Sequence, residues 1–327
     1  MTDMKAARLV ERAKMVCERT SIPALAEGQV LVRTQLAAIC GSDLHHVFTW
    51  WGMPPQPFAH GWPGHEGIGE VVESRSPLFK PGARVLTCPE GLDSRCFSEY
   101  QAIAADKCVP LPAYDGPLEH LLMAQQMGTT IFALRKHPLD VVGKTVLVMG
   151  QGSAGNFFAY NLKRAGAAKV IVSDLSEARL AASKYMGADV AVKADPATVL
   201  DTVREHTDGQ GVDFLVEAVG SKESLLQSVD LLRLGGSMLC FGLPDTDQPV
   251  PFNFNNFFRK KLTCYSHYGT QHEPGRVSFK LALDLIARRQ IDVSHMISHR
   301  LPIEEINRAM RLAYDRSENA LKITLSF

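Results

Sequence analysis

Residues 40–45 read Cys-Gly-Ser-Asp-Leu-His, and Gly64-His65-Glu66 follows a stretch rich in proline and aromatics. Cys40 and His65 offer a thiolate and an imidazole, ligand types that suit Zn²⁺. Asp43 is a carboxylate placed to hold a ligand histidine through its second ring nitrogen. Ser42 and His45 are a hydroxyl and a base that titrates near neutrality, a pair that could pass a proton. Two ligands 25 residues apart cannot close a local clip of the zinc-finger kind, so the fold must bring them together. The bland alternative is core packing of a lone Cys and a lone His. The two motifs in combination favour a metal.

A second motif lies at 145–155. Thr145-Val146-Leu147-Val148-Met149 is an apolar, β-rich run that reads as a buried parallel strand. It enters Gly150-Gln151-Gly152-Ser153-Ala154-Gly155, a G-x-G-x-x-G, and Asn156 to Arg164 then reads as a helix. In that context the first glycine permits a tight turn and the second lets backbone approach a pyrophosphate. The third lets helix pack on strand, while the helix N-terminus faces the phosphate charge. A strand at Lys169 to Ser173 ends in Asp174, at the distance of about twenty residues where an acidic side chain bonds the ribose hydroxyls and repels a 2′-phosphate. Asp174 also suits capping of the helix predicted at Glu177–Tyr185. No arginine directly follows it, which favours NAD over NADP. Arg179, one helical turn on, argues the other way.

These residues resemble the zinc-containing alcohol dehydrogenases of the medium-chain dehydrogenase/reductase family, over nearly the whole chain. Pro81-Gly82-Ala83-Arg84-Val85, Phe97-Ser98-Glu99-Tyr100 and Ala320-Leu321-Lys322-Ile323 look like further family segments. The resemblance implies an α/β protein of two domains. One is a GroES-like, mostly-β catalytic domain from residues 1–124 and 270–327; the other is a doubly wound, parallel-sheet Rossmann domain from 125–269, with a cleft between. It also implies roles. Cys40 and His65 ligate one catalytic zinc per chain, Asp43 holds His65, Ser42 accepts the substrate hydroxyl proton and His45 relays it. Thr129 sits against the nicotinamide, Val219 and Phe241-Gly242-Leu243 line the cofactor cleft, and Lys322 reaches the cofactor phosphates.

The third metal ligand stays open. Aligning Thr129 and Phe132-Ala133-Leu134-Arg135 with the family pattern places Gln125 where the family carries Cys, Glu or Asp. Glu66 is the anionic alternative. Gln125 and Gln126 could equally do no more than bond backbone at a domain junction. Many members also carry four closely spaced cysteines around a structural zinc. Here Cys88, Cys96 and Cys108 are spread over 21 residues, so no second zinc is predicted.

All three tryptophans fall at 50, 51 and 62, with Phe48 and Phe58 among them. This loop reads either as an apolar wall for a bulky substrate or as packing of a proline-rich segment or a subunit contact. His46 and His60 read as surface or hydrogen-bonded histidines.

The elements that position these groups follow from pattern. Strands are predicted at 6–10, 28–38, 67–73, 83–87 and 97–104, and a helix over 119–135. Strands near 145, 169, 189, 213 and 237 then alternate with helices near 155, 177, 197 and 222, the rhythm of a doubly wound parallel sheet. A sixth strand over Leu262–Tyr268, helices near 276–289 and 303–314, and a closing strand at Lys322–Leu325 complete the chain of 327 residues. Lys+Arg and Asp+Glu both total 35, which leaves no electrostatic footprint for nucleic acid or an anionic membrane. The seven scattered cysteines suit a reducing compartment. Met1 to Thr20 lacks the apolar core of a signal peptide, and no run approaches the ~20 apolar residues of a membrane span. A cytoplasmic enzyme is expected, a homodimer or homotetramer through its Rossmann domain. It would move a hydride between NAD and an alcohol: a secondary alcohol, a polyol, a sugar-like compound or something bulkier. The alternatives are a zinc-free enone or quinone reductase and a non-catalytic cofactor-binding protein.

Overall fold

The computed structural model describes residues 3–50, 53–137, 139–246 and 248–327. Contacts divide the chain into two compact units, Met1–Gly128 with Thr270–Phe327, and Thr129–Gly269.

The first unit begins with an antiparallel ribbon of β1 (Asp3–Glu11) and β2 (Lys14–Ser21). Next come β3 (Gln29–Ala38), β4 (Glu66–Ser74), β5 (Arg84–Thr87), β6 (Tyr100–Ala104) and β7 (Cys108–Pro110), with the short helix α1 (Gly41–Leu44) after β3. α1 runs on into a π turn at His45–Thr49. β2 escaped the sequence reading because Lys14, Glu18 and Arg19 break up its apolar pattern, as suits a half-exposed ribbon. The strand predicted at 97–104 begins only at Tyr100, and Phe97 before it is a fully buried core residue. The helix predicted at 119–135 is two, α2 (Leu118–Leu122) and α3 (Ala124–Arg135). The junction is a tightened turn: Met123 keeps right-handed backbone (φ −61°, ψ −17°) and its N–H reaches back three residues to His120.

The second unit alternates β8 (Thr145–Met149), α4 (Ser153–Arg164), β9 (Lys169–Asp174), α5 (Glu177–Tyr185), β10 (Val190–Lys193), α6 (Pro196–His206), β11 (Val212–Glu217) and α7 (Lys222–Leu231). β12 (Leu232–Cys240), α8 (Phe254–Arg259) and β13 (Thr263–Ser266) follow. The strands form one parallel sheet in the order β10-β9-β8-β11-β12-β13. This is the doubly wound order, with the reversal between β8 and β11. Its strands are runs of Val, Ile and Leu because both faces are covered.

The chain then returns to the first unit through α9 (Val277–Ala287), β14 (Ile297–Pro302), α10 (Ile306–Asp315) and β15 (Lys322–Ser326). There the larger sheet runs β14-β15-β3-β4-β5-β7, with β6 also on β3. β3 therefore has antiparallel neighbours on both sides at its end: Ala38 pairs with Thr324 of β15 and with Glu66 of β4. That register carries Lys322 and His65 to the level of Cys40, just past the end of β3.

Candidate functional site

The three strand ends make a polar cluster inside the first unit. Among the described residues, Cys40, His65 and Glu66 are the one group of three or more Cys, His, Asp or Glu whose ligand atoms all lie within 4.8 Å of one another. Asp43 organises them. Its buried carboxylate accepts the Cys40 backbone N–H at 2.9 Å on Oδ2, and Oδ1 lies 2.9 Å from His65 Nδ1. With a proton on Nδ1 facing Asp43, His65 presents the lone pair of Nε2 outward. Ser42 Oγ lies 3.3 Å from that Nε2, and His45 follows one turn later, half-buried, as the first residue of the π turn. Burial pushes the His65 ring towards neutrality, but the charges of Asp43 and Cys40 outweigh it and hold its pKa well above the ordinary value. A proton and a metal therefore compete for this pocket.

Glu66 is fully buried, and its Oε2 lies 2.6 Å from Lys322 Nζ, itself fully buried. Oε1 has no hydrogen-bond partner among the described residues. Lys322 Nζ also donates to the Ile39 carbonyl at 3.2 Å and to Gln126 Oε1 at 3.0 Å. The Gln126 amide nitrogen in turn donates to Cys40 Sγ at 3.8 Å. Lys322 was expected at the cofactor phosphates. Its buried ammonium is instead committed to Glu66, Gln126 and Ile39 inside the first unit. Of the two glutamines, Gln125 donates through its amide nitrogen to the His65 carbonyl at 3.4 Å, whereas Gln126 meets the thiol. One residue is ~100° of helix rotation, enough to exchange their roles. The donor set itself, one thiolate, one imidazole and one carboxylate with an uncommitted oxygen, suits a zinc ion with an open position.

The second unit builds its site from backbone. Gly150 has φ +86°, and a Cβ on Gly155 would lie 1.8 Å from the Gly150 carbonyl oxygen, so both must be glycine. A Cβ on Gly152 would meet nothing within 4 Å, which leaves room for a ligand at the N-terminus of α4. Ser153 and Ala154 form the first turn of that helix. Asp174 is buried; it accepts Gln151 N–H at 2.6 Å on Oδ2 and Ser176 N–H at 2.8 Å on Oδ1. Ser176, not Asp174, caps α5, with its Oγ accepting the Arg179 N–H at 3.5 Å. Each Asp174 oxygen retains a lone pair.

Sequence reasoning missed three residues here. The buried Asn156 donates to the carbonyls of Gln151 at 2.8 Å and Gly152 at 3.2 Å. Gln151 donates to those of Val148 at 3.1 Å and Gly150 at 3.0 Å. Glu217, at the end of β11, accepts N–H of Val219 and Gly220 at 2.9 Å and Ser224 Oγ at 2.8 Å, while its carbonyl accepts N–H of Phe241 and Gly242 at 2.8 and 2.9 Å. Burial raises its carboxyl pKa more than these bonds lower it. The Glu217 side chain thus fixes the loop after β11 and its backbone carbonyl the loop after β12, where a Cβ on Gly220 would lie 1.9 Å from the Leu243 carbonyl oxygen. An acid ending an apolar strand three residues before a glycine was the available signal. Thr129 sits half-buried in α3, and Val219, Phe241 and Leu243 are exposed or half-exposed.

The aromatic loop resolves largely into packing. Phe48, Phe58 and Trp62 belong to the apolar core with Phe97 and Ile323; Phe48 stacks on Tyr314 and Phe58 on Trp62. Trp50 is half-buried and edge-on to Phe58, and Trp51 lies outside the described residues. His46 packs on Trp62, and His60 Nε2 lies 2.8 Å from Glu18. Cys88, Cys96 and Cys108 are buried thiols whose pKa values burial pushes up, that of Cys96 to about 12.

Comparison with known proteins adds the family. Residues 26–113 match the alcohol dehydrogenase GroES-like domain, and residues 155–288 match the zinc-binding dehydrogenase domain. The chain belongs to the zinc-containing alcohol dehydrogenases of the medium-chain dehydrogenase/reductase family. It is an oxidoreductase with an NAD-binding fold. The chain is 27% identical to an L-threonine 3-dehydrogenase of Sinorhizobium medicae over 100% of both proteins. It is 25% identical to a sorbitol dehydrogenase of Bacillus subtilis, over 98% of this chain and 96% of that one. Among solved structures, an alcohol dehydrogenase from Thermotoga maritima superposes with a TM-score of 0.83 at 27% identity, covering 99% of each chain. No helix among the described residues is long and apolar enough to cross a membrane.

Proposed function

We propose that this dehydrogenase oxidises a secondary alcohol carrying neighbouring polar groups, a polyol or a hydroxy-amino-acid-like compound, with NAD and one zinc held by Cys40, His65 and Glu66. The observation that carries the reading is the gathering of those three donors, with Asp43 fixing His65 so that Nε2 faces them. The names of the relatives, threonine and sorbitol dehydrogenases, support the substrate class. So does the burial of Phe48, Phe58 and Trp62, which commits three of the loop's aromatics to the core.

Zinc, when bound, supplies a Lewis acid for the substrate oxygen, and NAD supplies the hydride acceptor. The chain does the rest. Asp43 holds the His65 tautomer and, through the Cys40 N–H, the start of α1. Ser42 takes the substrate hydroxyl proton and His45 passes it to solvent. Lys322 balances the Glu66 charge, and Gln126 links that pair to Cys40. In the second unit Gly150, Gly152 and Gly155 shape the pyrophosphate turn, with Ser153 and Ala154 offering backbone N–H groups. Asp174 selects a ribose without a 2′-phosphate over the pull of Arg179. Thr129, Val219 and Phe241-Gly242-Leu243 face the nicotinamide half. The first unit is the catalytic domain and the second the NAD-binding domain.

A homo-oligomer through the second unit is supported by β13, which among the described residues is paired on one side only, and by exposed Phe254 and Phe258 on the helix leading into it. Seven free cysteines support the cytoplasm as the site of action. Purified protein is expected to hold one zinc per chain and to reduce NAD with polyols and 2,3-hydroxy compounds more efficiently than with bulky apolar alcohols. Cofactor binding without turnover across that panel would favour a non-catalytic protein. Turnover of enones by metal-free protein would favour a reductase.

A further inference from the structure

The junction of α2 and α3 is an apolar run with two amides set into it. Leu121, Leu122, Met123, Ala124 and Met127 are all fully buried, and Gln125 and Gln126 are buried among them. A buried amide is costly unless its polar ends find partners. Gln125 donates to a backbone group, the His65 carbonyl, at 3.4 Å. Gln126 instead bridges two side chains of the charged cluster, Lys322 and Cys40. The Lys322 ammonium decides which end of that amide faces which way. It has three donors and no acceptor, so only Oε1 can meet it, and does so at 3.0 Å. The N–H end is thereby turned to Cys40 Sγ, 3.8 Å away. Lys322 is itself fixed by Glu66 Oε2 at 2.6 Å and by the Ile39 carbonyl at 3.2 Å.

We infer that Gln126 is a positioning residue of the metal site, whose oriented N–H draws electron density from the Cys40 thiolate and whose carbonyl ties that ligand, through Lys322, to Glu66. The inference rests on the metal reading above. The ammonium on Oε1 polarises the amide and makes its N–H a stronger donor, as in any chain of hydrogen bonds. A thiolate that accepts this bond gives less charge to a metal. The metal then stays more electron-poor, which is what a Lewis acid for an alcohol oxygen requires.

The same amide limits the hold of Lys322 on Glu66. The ammonium is shared among Glu66, Gln126 and Ile39. Without the Gln126 oxygen it falls back on the other two, and its grip on the Glu66 carboxylate competes more strongly with a metal. Loss of Gln126 thus acts on two ligands at once, the thiolate directly and the carboxylate through Lys322.

The test loads the full-length protein with Co²⁺ in place of zinc and records its absorption spectrum, in which a thiolate ligand gives a sulfur-to-cobalt charge-transfer band. Removing the N–H raises the sulfur lone pair in energy, so Gln126→Met should move that band to longer wavelength. It should also release cobalt to a chelator about tenfold faster. Gln125→Met should leave the band in place. Gln126→Asn keeps an amide in the pocket but falls one methylene short of the sulfur, and it repeats the test should the methionine variant fail to fold. An unmoved band would overturn the inference, as would equal shifts in the Gln125 and Gln126 variants, which would mark a general disturbance of the helix. Altered d–d bands in Gln126→Met would mean that Gln126 binds the metal through its oxygen, which also overturns it. Absence of the charge-transfer band from the unaltered protein would sink the metal reading and this inference together.

Discussion

The two sites are built in opposite ways. The cluster in the first unit is made of charges that arrive from distant segments: Cys40 beyond β3, His65 and Glu66 at the start of β4, Gln126 on α3 and Lys322 on β15. The nucleotide loop in the second unit is made of backbone, within one strand, turn and helix at 145–164, with Asp174 reaching in from the next strand. A backbone site depends on the space around its glycines. A charge site depends on each ion keeping its partner. The two should therefore fail differently.

The largest effect is expected at the buried pair. Glu66→Gln leaves the Lys322 ammonium, 1% exposed, without its anion, and removing one partner of a buried pair costs about 3–5 kcal/mol. Urea unfolding of the metal-free protein should show that loss, and chelator-driven zinc release should be faster. Gln125→Glu should change neither by much. Unchanged stability in Glu66→Gln would mean that water, not Lys322, solvates the carboxylate.

The glycines separate fold from ligand binding. Gly155→Ala forces a Cβ towards the Gly150 carbonyl oxygen, and overpacking of that kind costs about 1–3 kcal/mol. Gly152→Ala has open space and should leave the unfolding midpoint within experimental scatter, yet weaken NAD binding about tenfold, roughly 1.4 kcal/mol. Equal effects of the two changes on stability would break the distinction between a packing glycine and a ligand-facing one.

Asp174→Ala should weaken NAD and relax discrimination against NADP, as read by kinetics with both cofactors. It should also loosen the loop, because Gln151 and Ser176 lose their acceptor. Unchanged cofactor preference would shift the selection to Arg179.

The smallest effect comes from a half-buried, partly solvated counterpart of the buried pair. Glu18 is held by hydrogen bonds from Arg8 and His60, which lower its carboxyl to about 2. A depressed folded-state pKa contributes stability that is present above the unfolded value, near 4.5, and is lost as pH falls towards 2. Glu18→Gln should flatten the decline in melting temperature across that window by a small amount, since the group is solvent-screened. A steeper decline in the variant would reverse the sign of the argument.

The same contrast explains what could be read without coordinates. The nucleotide loop was legible because strand, glycines and helix are contiguous and each residue's reason is local. The metal motifs at Cys40–His45 and Gly64–Glu66 were legible because they too are short. What joins them was not. Lys322 belongs with Glu66 only because Ala38 pairs with both Thr324 and Glu66, a register set by long-range strand order. Gln126 rather than Gln125 meets Cys40 because one residue of helix phase, ~100° of rotation, decides which glutamine faces the thiol, and an alignment does not fix that phase. Glu217 was invisible because its partners are backbone N–H groups of its own loop and the next one, which leave no mark on side-chain pattern.

The central claim is that Cys40, His65 and Glu66 hold one catalytic zinc. Anomalous scattering at the zinc edge, from a crystal of the zinc-loaded protein, tests it most directly. The account predicts a single peak per chain, bonded to Cys40 Sγ, His65 Nε2 and a Glu66 carboxylate oxygen at about 2.0–2.3 Å. A peak bonded to Gln125 in place of Glu66, or a second peak among Cys88, Cys96 and Cys108, would contradict it.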